Sequence, residues 1–109
     1  MMAAIDSLCD AIRRRLPVEF SYSRPGKVVG RRTGNPHAVF IKERRDDAKP
    51  VYVHIWQTDG VSDTGEPMPG WRPFLLEWLH DVRILENLPP FDVAEGYNPS
   101  YYEFPIERI

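Results

Sequence analysis

Residues 51–57 and 71–76 read as two strands, and the stretch between them holds Gly60, Gly65, Gly70, Pro67 and Pro69. Val51, Val53, Ile55 and Gln57 alternate with Tyr52, His54 and Trp56, so the first run puts an aliphatic row on one side and a row of flat rings on the other. The connecting segment has no apolar period and too many breakers for a helix. The pair is therefore expected to be the centre of a sheet, and the rest of the chain must complete the core around it.

The other elements follow from the same periodicities. Ile5, Leu8, Cys9, Ile12 and Leu16 fall on one helical stripe, which predicts a helix over 5–16. Asp6 and Asp10 lie early in it and Arg13, Arg14 and Arg15 late, as the helix dipole favours, and Pro17 ends it. Strands are expected at 18–22, 27–32, 37–42, 51–57, 71–76 and 82–85, with turns at Pro25-Gly26, at residues 33–36 and at 44–50, and a tight helical turn over 77–81. One helix and several short strands predict a mainly β fold, a small antiparallel barrel. From Pro89 onward prolines forbid long regular structure, yet Phe91, Tyr97, Tyr101, Tyr102, Phe104 and Ile106 are too apolar for a disordered tail. Residues 89–109 are expected as an extended arm laid over the barrel or over a partner subunit.

The 109 residues make one domain, 1–109: helix 5–16, barrel 18–88, arm 89–109. No apolar run approaches the roughly 20 residues that span a bilayer, and the N-terminus lacks a basic region followed by an apolar one. Cys9 is the only cysteine, which excludes an internal disulfide and favours a reducing, cytoplasmic setting. Residues 1–54 hold 11 Lys/Arg and 6 Asp/Glu, a charge of +5, while residues 55–109 hold 3 and 10, a charge of −7. The split either marks a basic patch for phosphates or disappears where strands of the two halves interleave.

No enzyme signature is present. His37, His54 and His80 have no metal-ligand spacing, residues 59–66 lack the ligand order of a calcium loop, and no Gly-x-Ser-x-Gly elbow occurs. No cofactor is expected. Three features invite a binding role instead. The Tyr52, His54 and Trp56 row can stack on planar rings, unless the helix or arm covers it. Arg72 shares the parity of Phe74 and Leu76, so it must pair with an acid such as Asp81 or Glu77, or hold a carboxylate or phosphate. His37 opens the third strand and is either exposed there or a second polar contact.

These residues also carry a resemblance. Residues 18–22, Pro36-His37, Trp56-Gln57 with Gly60, the run from Gly65 through Gly70-Trp71-Arg72-Pro73-Phe74 to Leu76, residues 81–85 and Tyr97-Asn98-Pro99 resemble the WYL family in its short stand-alone bacterial form. The Trp-Tyr-Leu tripeptide of the family name is absent; Val51-Tyr52-Val53 is the nearest stretch. The resemblance implies an SH3-like (Sm-like) barrel, usually the sensor half of a transcription regulator. It implies a negatively charged ligand, a nucleotide or single-stranded nucleic acid, bound through basic and aromatic residues. By match, His37, Trp56, Gln57 and Arg72 are placed in that pocket; Tyr52 and Trp71 complete the candidate ligand-binding set. The other expectation is an interaction module without a small ligand, dimerising or docking through residues 89–109.

Overall fold

The computed structural model describes residues 3–63 and 65–109. One helix, α1 (Ala4–Arg14), leads into β1 (Val18–Tyr22), β2 (Gly30–Ile41), β3 (Val51–Gly60) and β4 (Gly70–Leu75). A 3₁₀ turn (Leu76–Trp78) joins β4 to β5 (Leu79–Ile84), and a second 3₁₀ turn (Pro99–Tyr101) precedes β6 (Phe104–Arg108). All six strands pair antiparallel in one sheet, in the order β4-β3-β2-β1-β5, with β6 on β2.

The sheet is open, because no ladder joins β4 to β5. It is nevertheless strongly curled. Four strand spacings of about 4.8 Å would set β4 and β5 some 19 Å apart in a flat sheet. The three-residue 3₁₀ link between them rises only about 2 Å per residue. The edge strands therefore meet at one corner. Inside the curl, Phe20, Tyr22, Val39, Val53, Ile55, Phe74 and Leu79 form the core with Leu8, Ala11 and Ile12 of α1.

The helix stops two residues before the expected end. Arg15 takes a left-handed conformation (φ 57°, ψ 38°), and the N–H groups of Arg15 and Leu16 donate to Ile12 O and Ala11 O. This closing pattern satisfies the last carbonyls before Pro17 is reached.

Two other expectations are corrected. Residues 33–36 are not a break: β2 runs unbroken through them and replaces the two strands predicted at 27–32 and 37–42. Gly34 and Pro36 are absorbed by two register shifts against β3, at Thr33/Gly34 and at Pro36/Ala38. A bulge tolerates the missing N–H of Pro36 and lets the strand bend. Residues 104–108 of the arm are not merely extended. They form β6, which pairs Ala38↔Arg108 through Ile41↔Phe104. One edge of β2 is thus divided: β1 takes Gly30 to Gly34 and β6 takes Ala38 to Ile41.

The charge asymmetry disperses in space. Arg13 pairs with Glu107, Arg14 with Glu86 and Lys27 with Asp63, each joining one sequence half to the other. No helix of the structure is long and apolar enough to cross a membrane.

Candidate functional site

The six residues singled out by sequence do not form one site. Strand alternation sends Trp56 and Gln57, and likewise Trp71 and Arg72, to opposite faces. Gln57 and Arg72 point into the curl. His37, Tyr52, Trp56 and Trp71 stand on the outer face, where the C-terminal arm crosses.

On the inner face a third residue joins the pair. Arg32 of β2 lies opposite Phe20 in register and only 2% of it is exposed. Its guanidinium packs on the rings of Tyr22 and Phe74, 5.7 and 5.3 Å from their centroids. It donates to Gln57 Oε1 (3.3 Å) and to Val28 O (2.9 Å), and its Nε has no partner among the described residues. Gln57 is held in turn, donating to Asp59 O and Val61 O. No carboxylate among the described residues is in ion-pair contact with Arg32; Asp63 and Glu66 act on it only at a distance. Burial lowers the Arg32 pKa, and the neighbouring positive charge of Arg72 adds to this.

Arg72 is 6% exposed and is gripped by the loop that follows β3. It donates to Trp71 O (3.1 Å), to Ser62 Oγ (3.3 Å) and to Pro67 O. Its acid is Glu66, 2.8 Å from Nε, and neither Asp81 nor Glu77. The approach is off the N–H direction, so this is an ion pair without a hydrogen bond. The Glu66 side chain is 39% exposed. Asp63 anchors the same loop to the β1–β2 connection by accepting from Val28 N–H, which holds its carboxyl below the usual range, with Lys27 nearby. Gly70 leaves the space that Arg72 occupies, since a Cβ there would stand 2.7 Å from Arg72 Nη1.

On the outer face His37 is fully buried, not exposed at a strand start. The bulge turns it under the arm. Its Nδ1 lies 2.8 Å from Asn35 O and its Nε2 accepts from Ala94 N–H at 3.0 Å. Those partners fix the Nδ1–H tautomer and use both ring nitrogens. Burial drives the His37 pKa down to about 4. Trp71, Phe91 and Tyr97 enclose the ring.

The flat row on β3 is partly covered. Tyr52 stacks beside Phe40, and His54 Nδ1 meets Tyr102 Oη at 2.8 Å. Trp56 remains half-buried, edge-on to Trp71 at 5.4 Å. Burial lowers the pKa of His54 and raises that of Tyr102, so the ring stays neutral and the phenol protonated. Between this face and the arm a cleft of about 220 Å³ remains, lined by His54, Trp71, Gly96, Tyr97, Asn98, Tyr101 and Tyr102.

Sequence reasoning missed Arg32 and the tyrosines of the arm. Arg32 closes the strand expected over 27–32, and the break expected after it cuts off the continuation to Ile41 that carries it into the core. No three His, Cys, Asp or Glu side chains converge among the described residues as a metal site would require. No family profile, curated protein or solved structure matches the chain.

Proposed function

We propose that this protein is a non-catalytic, regulatory ligand-binding domain that takes a negatively charged group at the Arg32–Arg72 pair. The ligand class is a nucleotide or the phosphates of single-stranded nucleic acid. The observation that carries this reading is Arg32, a buried cation with no acid in contact among the described residues, beside a second buried arginine whose carboxylate partner, Glu66, is 39% exposed. An uncompensated buried charge is costly, and a ligand anion relieves that cost more fully than the off-line Glu66 does. Two guanidinium groups also suit phosphate oxygens better than an ammonium would. Gln57 belongs to this site as the residue that orients Arg32.

The curled sheet fits the same reading. We propose that it is an SH3-like barrel left open between β4 and β5, of the WYL type. Support comes from the strand order and from the short 3₁₀ link that brings both edges to one corner. No helix-turn-helix occurs among the described residues.

Titration with mononucleotides and short single-stranded oligonucleotides at low salt is the test. Binding is expected to weaken at least tenfold in Arg32→Met and to tighten several-fold in Glu66→Gln, which removes the internal competitor. It should also fall steeply with salt, since phosphate contacts release counterions. Absence of binding at low salt, or unchanged affinity in both variants with the fold intact by circular dichroism, would sink the proposal.

A second reading, docking on another chain, draws on β6. Phe104 and Ile106 are nearly half exposed there, and β6 pairs with β2 alone among the described strands. Light scattering should then show a dimer that Ile106→Asp converts to monomer. A monomer at every concentration would dismiss this alternative.

A further inference from the structure

The arm cleft has a chemistry different from that of the arginine pair, and it stands independently of it. Its walls are five rings: His54 and Trp71 from the sheet, Tyr97, Tyr101 and Tyr102 from the arm. They meet at mixed angles. Trp71 and Tyr97 stack at 6.4 Å, His54 and Tyr101 at 5.8 Å, while Tyr101 and Tyr102 stand edge to face at 5.2 Å. Such an arrangement is a box of ring faces rather than a slot for one flat ring.

Most polar ends of the walls are already used. Trp71 Nε1 donates to Glu95 O, Tyr97 Oη to Ile109 O, and Tyr102 Oη is held by His54 Nδ1. What is left to a ligand is chiefly the π-faces. Gly96 keeps the floor open, since a side chain there would crowd Trp71. None of the lining residues carries a formal charge, so the cleft offers nothing to a phosphate. The arm that borders it, residues 89–109, holds Asp92, Glu95, Glu103 and Glu107 against a single cation, Arg108. Lys42, whose charge reaches His54, lies in the adjoining cleft together with Glu43 and Glu103.

We propose that this aromatic cleft binds a methylated ammonium group. Ring faces attract a cation through their quadrupoles, and a methylated nitrogen loses little hydration on entering an apolar box. The volume of about 220 Å³ accepts such a head group with part of its chain. Both a free quaternary amine and a methylated lysine side chain present this chemistry.

The test is an NMR titration of the full chain, followed at the Trp71 indole N–H, with choline and with its uncharged carbon isostere 3,3-dimethylbutan-1-ol. Choline is expected to shift the indole signal and to bind at least tenfold tighter than the isostere, because only the charge differs. A trimethyllysine peptide run beside its unmethylated form tells the two sources apart. Tyr101→Ala removes a half-exposed wall (52%) and is expected to lower choline affinity roughly tenfold. Equal binding of choline and isostere, or no shift with choline and with the methylated peptide alike, overturns the inference. That comparison uses the unaltered protein, so it holds even if the variant fails to fold.

Discussion

Lowering the pH from 7 to 4 is expected to cost the fold about 3 kcal/mol through His37 alone. The sign follows from the direction of the shift. In the unfolded chain the imidazole takes a proton near 6.5; in the folded one burial delays this to about 4. Above pH 6.5 the ring is neutral in both states and nothing is lost. Between 6.5 and 4 the unfolded chain gains a proton that the folded chain refuses, so stability falls steadily. Below about 4 both states are protonated and this contribution is flat. The structural reason is the arm: protonated Nε2 cannot accept from Ala94 N–H, and a charged ring would lie among Trp71, Phe91 and Tyr97. The His37 ring signals in an NMR titration should move with a midpoint near 4, and urea midpoints should lose most of their pH dependence in this window in His37→Gln, the buried His54 keeping a smaller share. A ring midpoint at 6.5 would refute the account. Asp63, held low by Val28 N–H, titrates further down and does so in both proteins.

Gly34→Ala is expected to damage the fold heavily for the addition of a single methyl group. A Cβ at this position would stand 2.5 Å from Ile55 Cγ2, 2.7 Å from Trp56 O and 3.0 Å from Gln57 Cα. Two of those atoms are backbone of the neighbouring strand and cannot turn aside. β2 would have to separate from β3 at the Thr33/Gly34 bulge, just ahead of the Pro36/Ala38 shift that turns His37. Overpacking of this kind costs up to about 3 kcal/mol, a large share of the roughly 5–15 kcal/mol that holds a domain folded. Thermal melts of Gly34→Ala beside Gly26→Ala provide the check. Gly26 has nothing within contact distance of a Cβ, so its replacement brings only the strain of a positive φ. Equal melting temperatures would show that the close approach at Gly34 is not what the fold requires.

These two residues also mark where the sequence could and could not be read. Helix α1 and strands β1, β3 and β4 carry unbroken periods and were legible from those periods. β2 was not, because Gly34 and Pro36 are breakers in isolation; they become strand residues only when a neighbour approaches closely and a bulge absorbs the missing N–H. β6 was hidden by Pro105 and by its partner, the far half of β2, more than 60 residues earlier in the chain. The site was partly legible. Arg72 was recognised as a charge on a core parity, but its acid, Glu66, lies in a loop without periodicity. The grouping of Trp71 with Arg72, and of Trp56 with Gln57, ran against strand alternation itself, since adjacent residues face opposite ways.

The divided edge of β2 gives the molecule two tiers of cooperativity. Along β2 the β6 ladder covers only the Ala38 to Ile41 half and leaves the ladder from Gly30 to Gly34 with β1 untouched. The arm can therefore open as a unit while the curled five-strand sheet and α1 stay folded. In hydrogen exchange, the amides that β6 protects on β2 should report a partial opening of lower free energy. Amides shared by β1 and β2 should report the global one.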